Sequence, residues 1–439
     1  MMKVCLMNDS FPPVIDGVAN AVLNYARVIT EKRGECAVVT PEYPGTAYEY
    51  PFPVYTYPSL DTTGAFGYRT GLPLEPRLLL RLKEENFSII HSHCPMISNL
   101  LARSLRVAAD VPVVFTYHTK YDIDIANALK GELLKEAAVR MLVASVEACD
   151  EVWVVSRGAG ENLRHLGFTG EYRVMENGVD LPKGPVSREA AVGAAAGFDL
   201  PEGVPVYLFV GRLMWYKGIR LILEGLAGLM TAGKDFRMVF VGGGGDEPEI
   251  RSLTQQLGLS GKCVFTGPVR DREKLRCWYT RADLLLFPST FDTNGLVVRE
   301  AAACGLPALL IRDSCAAEGV TDGVNGILIP EDSAALYAAL DRLHGREEVL
   351  KEIGRNAMDS LYLSWEDSVL RACGRYEEIL ADWHGRKRLA PTMDELAAFY
   401  GIQNILEEMR ARLRQQRGMR RYPGGSDSGP KDPGRRESK

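Results

Sequence analysis

The sequence predicts an α/β chain of two doubly wound, Rossmann-like domains facing each other across a cleft, with a C-terminal helical tail. Three observations carry this. Short apolar runs alternate with helical stretches through both halves of the 439 residues. Gly-bearing polar turns recur at the carboxyl ends of those runs, where open parallel sheets hold their ligands. A stretch rich in Pro, Gly and Ala at 183–203 separates an N-terminal domain, 1–182, from a C-terminal one, 204–360.

In the first half, residues 4–7 form a strand, then a polar turn holding Asp16 and Gly17, then a helix over 19–30. Gly17 lets a ligand phosphate or sugar approach the backbone. A strand over 37–40 leads into a loop-rich stretch, 43–76, dense in Tyr, Pro and Gly. That stretch reads either as an aromatic loop facing an apolar acceptor or as a packed Ω-like loop. Strands follow at 88–91 and 113–116, and His118 stands just after the second. A neutral imidazole at that edge can donate to a sugar hydroxyl or to the reacting oxygen, or it caps its own loop. A strand over 152–156 and a helix over 158–166 follow, and Tyr172-Arg173-Val174-Met175 leads into Asn177-Gly178-Val179-Asp180.

The second half opens with a strand over 206–210, followed by Gly211-Arg212-Leu213 and Tyr216-Lys217-Gly218. Arg212 and Lys217 suit a diphosphate, one as a bidentate fork and one as a point charge. The strand over 238–241 precedes four glycines, 242–245, in which Gly243 marks either close backbone approach to a ligand or a flexible turn. A strand over 284–287 then gives way to a polar loop, 290–294, and a helix over 296–304 that stops at Gly305 and Pro307. Asn294, Gly295 and Leu296 place free N–H groups at a helix start, where a diphosphate is favoured. Asp292 and Glu300 flank that anion site; carboxylates there suit the hydroxyls of a ribose and a hexose. The arrangement is that of a nucleotide-sugar site.

The stretch 287–309 resembles the donor-site signature of family 4 glycosyltransferases, retaining enzymes of the GT-B fold. Gly295-Leu296-Val297 and Glu300-Ala301 match it, and Asp292 stands where the family carries Glu. The resemblance implies that Glu300 contacts the ribose, Asp292 the donor sugar, and Val269 the nucleobase. It extends to Pro12-Pro13 and Gly17, with Asp16 where a second glycine often stands. It also takes in Gly211-Arg212-Leu213 and Lys217-Gly218 with Tyr216 in place of Glu, and Asn177–Asp180 with Glu176 in place of Pro. Tyr117-His118-Thr119 is similar to the lipid-glucosylating members, among them those acting on diacylglycerol. The fold implies that a helix within 361–385 crosses back to the first domain. The likeness ends there, and 386–439 lies beyond it.

Composition narrows the partners. A net charge of −5 argues against nucleic acid. The nine cysteines are scattered without a C-x-x-C pair, as buried thiols of a reducing cytosol are. Cys94, His91 and His93 share one extended segment whose neighbours point to alternating faces, so no metal is expected. No run reaches the ~18 apolar residues of a spanning helix, and the N-terminus lacks a signal-peptide core. The tail begins Arg386-Lys387-Arg388, continues as a helix over 393–416 carrying Arg410 and Arg414, and ends in a Gly-, Pro- and Ser-rich stretch. It reads as an attraction for anionic lipid, or as a solvated, dimerising or flexible end.

The expected function is retaining, metal-independent transfer of a hexose from a nucleoside-diphosphate sugar, UDP-glucose or similar. Arg212, Lys217 and the amides at 294–296 meet the departing diphosphate, and His118 orients the acceptor. The acceptor is a membrane lipid such as diacylglycerol, or else a soluble sugar or polysaccharide. No cofactor is expected, and the place is the cytoplasm, peripheral to the inner face of the cell membrane. Two readings from other classes stand beside this: a nucleotide-sugar epimerase of the same fold, and a non-catalytic nucleotide-sugar-binding protein, the latter motivated by Asp292 and Tyr216.

Overall fold

A computed structural model describes residues 2–14, 16–62, 69–71, 76–121, 125 and 131–383. In the first half, parallel strands β1 (Lys3–Met7), β2 (Glu35–Pro41), β3 (Val54–Tyr57), β6 (Ile89–Ser92), β7 (Val113–Tyr117), β8 (Glu151–Val154) and β9 (Arg173–Val174) form one seven-stranded sheet. Their order is β3-β2-β1-β6-β7-β8-β9, and β4 (Ser59–Leu60) pairs with β5 (Thr70–Gly71) as a separate two-stranded ribbon. Helices α1 (Gly17–Lys32), α2 (Pro76–Glu84), α3 (Ile97–Ala109), α4 (Glu132–Glu147) and α5 (Arg157–His165) connect them.

After a short helix α6 (Arg188–Ala194), the second half builds a six-stranded parallel sheet. Its strands are β10 (Val206–Val210), β11 (Arg237–Val241), β12 (Cys263–Gly267), β13 (Leu284–Phe287), β14 (Ala308–Ile311) and β15 (Ile327–Ile329), in the order β12-β11-β10-β13-β14-β15. Helices α7 (Ile219–Thr231), α8 (Glu247–Gln256), α9 (Arg272–Arg281), α10 (Leu296–Ala303), α11 (Ser333–Leu343) and α12 (Glu347–Ser360) flank it. Both sheets are thus parallel and helix-covered, and the sequence shows why: β10 (VYLFV) and β13 (LLLF) are apolar on both faces and wholly buried.

The last described helix, α13 (Trp365–Ala381), joins the core of the first half rather than the second. Trp365, Val369, Ala372, Cys373 and Tyr376 pack there with Val4, Leu6 and Tyr25. Tyr376 stacks on Trp153 at 5.3 Å and its hydroxyl lies 2.5 Å from His91 Nδ1. A fully buried aromatic of this kind is worth roughly 1.5–3 kcal/mol over an exposed one, so α13 is firmly tied to the core of the first half.

One expectation needs correction. The stretch 43–76 is not all loop: Val54–Tyr57 adds an edge strand beside β2, register Val38 with Val54. Tyr43, Phe52, Tyr55 and Tyr57 are buried in the fold, and the Tyr57 hydroxyl donates to Asp9 at 3.1 Å. Those aromatics are core and do not offer a surface to an acceptor. Residues 63–68 and 72–75 of that stretch lie outside the described ones, as does the tail with its expected helix and arginines. All nine cysteines are free thiols, most of them buried. Among the described residues no helix is long and apolar enough to cross a membrane.

Candidate active site

The two sheets present their strand carboxyl ends to one cleft, which holds two adjoining chambers of about 610 and 670 Å³. His118, Arg212, Asn294 and Leu296 line the first. Val269, Arg272, Leu296, Glu300 and Asp180 line the second. Asp16 and Gly17 border both.

The loop between β13 and α10, the expected donor loop, is held from both halves. Gly295 starts α10 at φ 57°, with no side-chain cap on the helix. A Cβ at Gly295 would lie 2.8 Å from Ala316 Cα, so glycine is required by both conformation and space. The Thr293 hydroxyl donates to the His118 carbonyl at 3.1 Å, and the Ser156 hydroxyl donates to the Thr293 carbonyl. Asp292 accepts from Lys217 Nζ at 2.7 Å, and both groups are largely buried. Asp292 Oδ2 and both polar atoms of the Asn294 amide are buried with no hydrogen-bond partner among the described residues. Such orphan atoms cost about 1–3 kcal/mol each until a partner arrives, and sugar hydroxyls and phosphates are partners of the right kind.

Lys217 is buried and stands behind the chamber wall, its charge answered by Asp292. An ammonium carries three N–H donors, so one ion pair does not exhaust it. Arg212 is exposed, lines the first chamber and meets no carboxylate among the described residues. Tyr216, standing where the family has Glu, packs on Phe291 of the donor loop at 4.5 Å. Gly211 and Gly243 lie in neighbouring turns, where Gly243 O accepts from Leu213 N at 3.1 Å and Gly211 N donates to Val241 O at 3.0 Å. They shape those turns and line neither chamber.

Glu300 is gripped on both oxygens: Arg272 donates to Oε1 at 2.7 Å and the Tyr279 hydroxyl to Oε2 at 2.8 Å. Burial, and then the charge of Glu300, hold Tyr279 well above the ordinary phenol range, which keeps it a donor. Arg272 also faces Asp180 at 3.6 Å, and Asp180 accepts from Asn20 of α1 at 3.1 Å. Sequence reasoning quoted Asp180 in its motif without a role, and missed Arg272 and Tyr279.

On the opposite wall His118 is buried, and burial alone pushes its pKa down to about 3. It is therefore a neutral imidazole, with Nε2 2.9 Å from His93 Nδ1. His91 and His93 are likewise held well below the usual range, by burial and then by neighbouring histidines. The Gly17 turn differs from expectation. Its helix amides, Val18 N and Ala19 N, donate to Asp16 Oδ1 at 2.8 and 2.7 Å and are not left open for a ligand. Among the described residues no three His, Cys, Asp or Glu side chains converge as a metal site would require.

Residues 15–183 match the model described as Glycosyltransferase Family 4, and 195–359 match that of glycosyl transferases group 1. A D-inositol 3-phosphate glycosyltransferase of Streptomyces bingchenggensis is 30% identical over 322 residues, 69% of this chain and 68% of its own. The chain belongs to glycosyltransferase family 4. This family 4 glycosyltransferase is also 24% identical, over 70% of both chains, to an alpha-monoglucosyldiacylglycerol synthase of Streptococcus pneumoniae. Its fold is shared with a sucrose-phosphate synthase from Thermosynechococcus elongatus, at TM-score 0.69 and 22% identity over 87% of this chain and all of that one. Anabaena HepE in complex with UDP and glucose shares it too, at TM-score 0.64 and 20% identity over 87% of this chain and 100% of that one.

Proposed function

We propose that this glycosyltransferase moves a hexose, glucose foremost, from a uridine diphosphate sugar to a membrane lipid such as diacylglycerol, with retention and without a metal ion. The observation that carries the reading is the donor loop. An uncapped helix start at Gly295, the open Arg212 guanidinium and the unpartnered Asn294 amide face one chamber, with neutral His118 across it. In the reaction the bond from the anomeric carbon to the diphosphate breaks. The acceptor oxygen bonds that carbon on the same face, and its proton passes to the departing phosphate oxygen. Arg212, Lys217 and the amides at 294–296 meet the charge left on the diphosphate, the largest catalytic contribution such a site offers. In this reading Arg212 and the uncapped helix start supply positive charge on that wall in place of a divalent ion. Glu300 would hold the ribose, Asp292 the hexose and Val269 the base, while His118 would accept the hydrogen bond of the incoming hydroxyl.

In this reading residues 1–182 seat the acceptor and 204–360 the donor, with 183–203 between them. The lipid acceptor draws support from the diacylglycerol named for two relatives, and the UDP-sugar from the ligands in the HepE structures. A soluble polyol acceptor is the second reading, favoured by the relatives named D-inositol 3-phosphate glycosyltransferases. The test is a donor screen by thermal shift, then mass spectrometry of products formed on extracted lipids with chelator present. UDP-glucose should stabilise the protein and yield a hexosyl lipid. Donor incubated alone should give no epimer. Arg212→Ala should cut turnover by at least ~100-fold; wild-type turnover from that variant removes Arg212 from the mechanism.

A further inference from the structure

Three helices of the first half have their first turns taken up by carboxylates of this chain. On α1, Asp16 accepts from Val18 N and Ala19 N at 2.8 and 2.7 Å. On α3, Asp9 accepts from Ile97 N at 3.1 Å and Ser98 N at 2.8 Å. On α5, Glu318 reaches over from the second half and accepts from Arg157 N at 2.8 Å and Gly158 N at 2.6 Å. The second half does the opposite beside the donor loop. There α10 opens at Gly295 without a side-chain cap, and Arg212 meets no carboxylate among the described residues, lying over the Tyr216 ring at 5.9 Å. A helix start carries roughly half a positive charge. A full carboxylate more than cancels it on one wall, and on the other it remains available. Asp9 and Asp16 therefore face Arg212 and Asn294 across the same chamber, so its walls differ in sign.

We infer that Asp16 is a charge filter on the acceptor: the group that enters between it and His118 is an uncharged hydroxyl compound, and acceptors bearing a phosphate are refused. This rests on the transferase reading above. A phosphate monoester carries about −1.5 to −2 charges near neutrality. Brought to α1 it would find the Val18 and Ala19 amides already donating to Asp16, and it would meet that carboxylate as a like charge. A glycine at position 16 would leave the same amides open to it. The diphosphate of the donor has the other wall, so the filter sorts the two substrates to their own sides as well as choosing the acceptor.

The test uses the full chain and two matched acceptor pairs: diacylglycerol against phosphatidylglycerol in mixed micelles, and myo-inositol against myo-inositol 3-phosphate. In whichever pair is turned over, the neutral member should be favoured at least ~10-fold in kcat/KM. Asp16→Asn keeps a good N-cap and removes the charge, and it should narrow that ratio by ~3-fold or more through gain on the phosphorylated member. Because the readout is a ratio within one preparation, partial loss of folded enzyme does not move it. A phosphorylated acceptor used as well as its neutral partner overturns the filter. Turnover confined to the soluble pair refutes the lipid reading and leaves the filter standing. A second measurement needs no acceptor: inorganic phosphate titrated by calorimetry into the UDP-saturated protein. The wild type should take up none to ~10 mM, while Asp16→Gly, with α1 uncapped, should bind it. Uptake by the wild type, or none by Asp16→Gly, overturns the proposal.

Discussion

In the proposed reaction His118 touches an acceptor hydroxyl, and its burial decides in which form it does so. Its folded pKa, about 3, lies far below the ordinary value of 6.5, and His91 and His93 are depressed in the same direction. The unfolded chain takes up protons at these histidines below about pH 6.5, and the folded one refuses them until much lower pH. Their contribution to stability is therefore complete above about pH 6.5 and is lost as pH falls toward the folded values. The thermal midpoint should be flat from about pH 9 to 7 and then fall progressively below 6.5, with His118→Asn showing a shallower fall. A wild-type midpoint that is level from pH 7 to 4 would contradict neutral burial. At this scale the sequence was partly legible. His118 stands out because it directly follows an apolar run, and Arg212 and Glu300 because each sits at a glycine-marked turn or helix after one. Arg272 and Tyr279, which fix the Glu300 carboxylate, lie 28 and 21 residues away on another helix, and no local pattern links them to it.

Elements were easier to read where glycine ends them. β13 and α10 follow the apolar run and the Gly295 and Gly305 boundaries closely, because a left-handed start and a helix stop both select that residue. The edge strand Val54–Tyr57 was hidden, since its β-forming residues sit among prolines and glycines that signal loop. The departures from the family pattern also become intelligible as packing between elements. Tyr216 lies against Phe291, and Glu176 pairs with Arg299 of α10 at 2.5 Å. Both contacts steady the donor loop or the helix after it. Gly295→Ala tests how much that helix start matters. Ala must adopt φ near 57° and push against Ala316, which should cost about 1–3 kcal/mol in denaturant unfolding and weaken UDP binding in calorimetry. An Ala variant with unchanged stability and UDP affinity would show that the loop has another conformation open to it.

At the scale of the whole molecule, the loop between β13 and α10 belongs to the second half and is positioned by contacts from the first. Thr293 touches His118 and Ser156, Glu176 holds Arg299, and the Ser368 hydroxyl at the start of α13 donates to the Glu176 carbonyl at 2.6 Å. Because α13 is packed into the first core, these contacts link the donor side to a fixed reference. The sequence marked the two halves by their alternating strands and helices, but not these bonds, which join residues up to 192 positions apart. Glu318 is the most separable of them: it takes two α5 amides and belongs to no chamber wall. Glu318→Ala leaves those amides to water at the surface, so fold stability should change by no more than about 1 kcal/mol. The halves would then be less firmly apposed, and Thr293 would hold His118 for a smaller share of the time. Turnover should fall and the donor KM should rise together, the pattern expected when a closure contact rather than a reacting group is lost. Small-angle scattering in the presence of UDP should show a larger radius of gyration than the wild type. Wild-type kinetics with an unchanged radius would mean that the remaining contacts close the cleft without it.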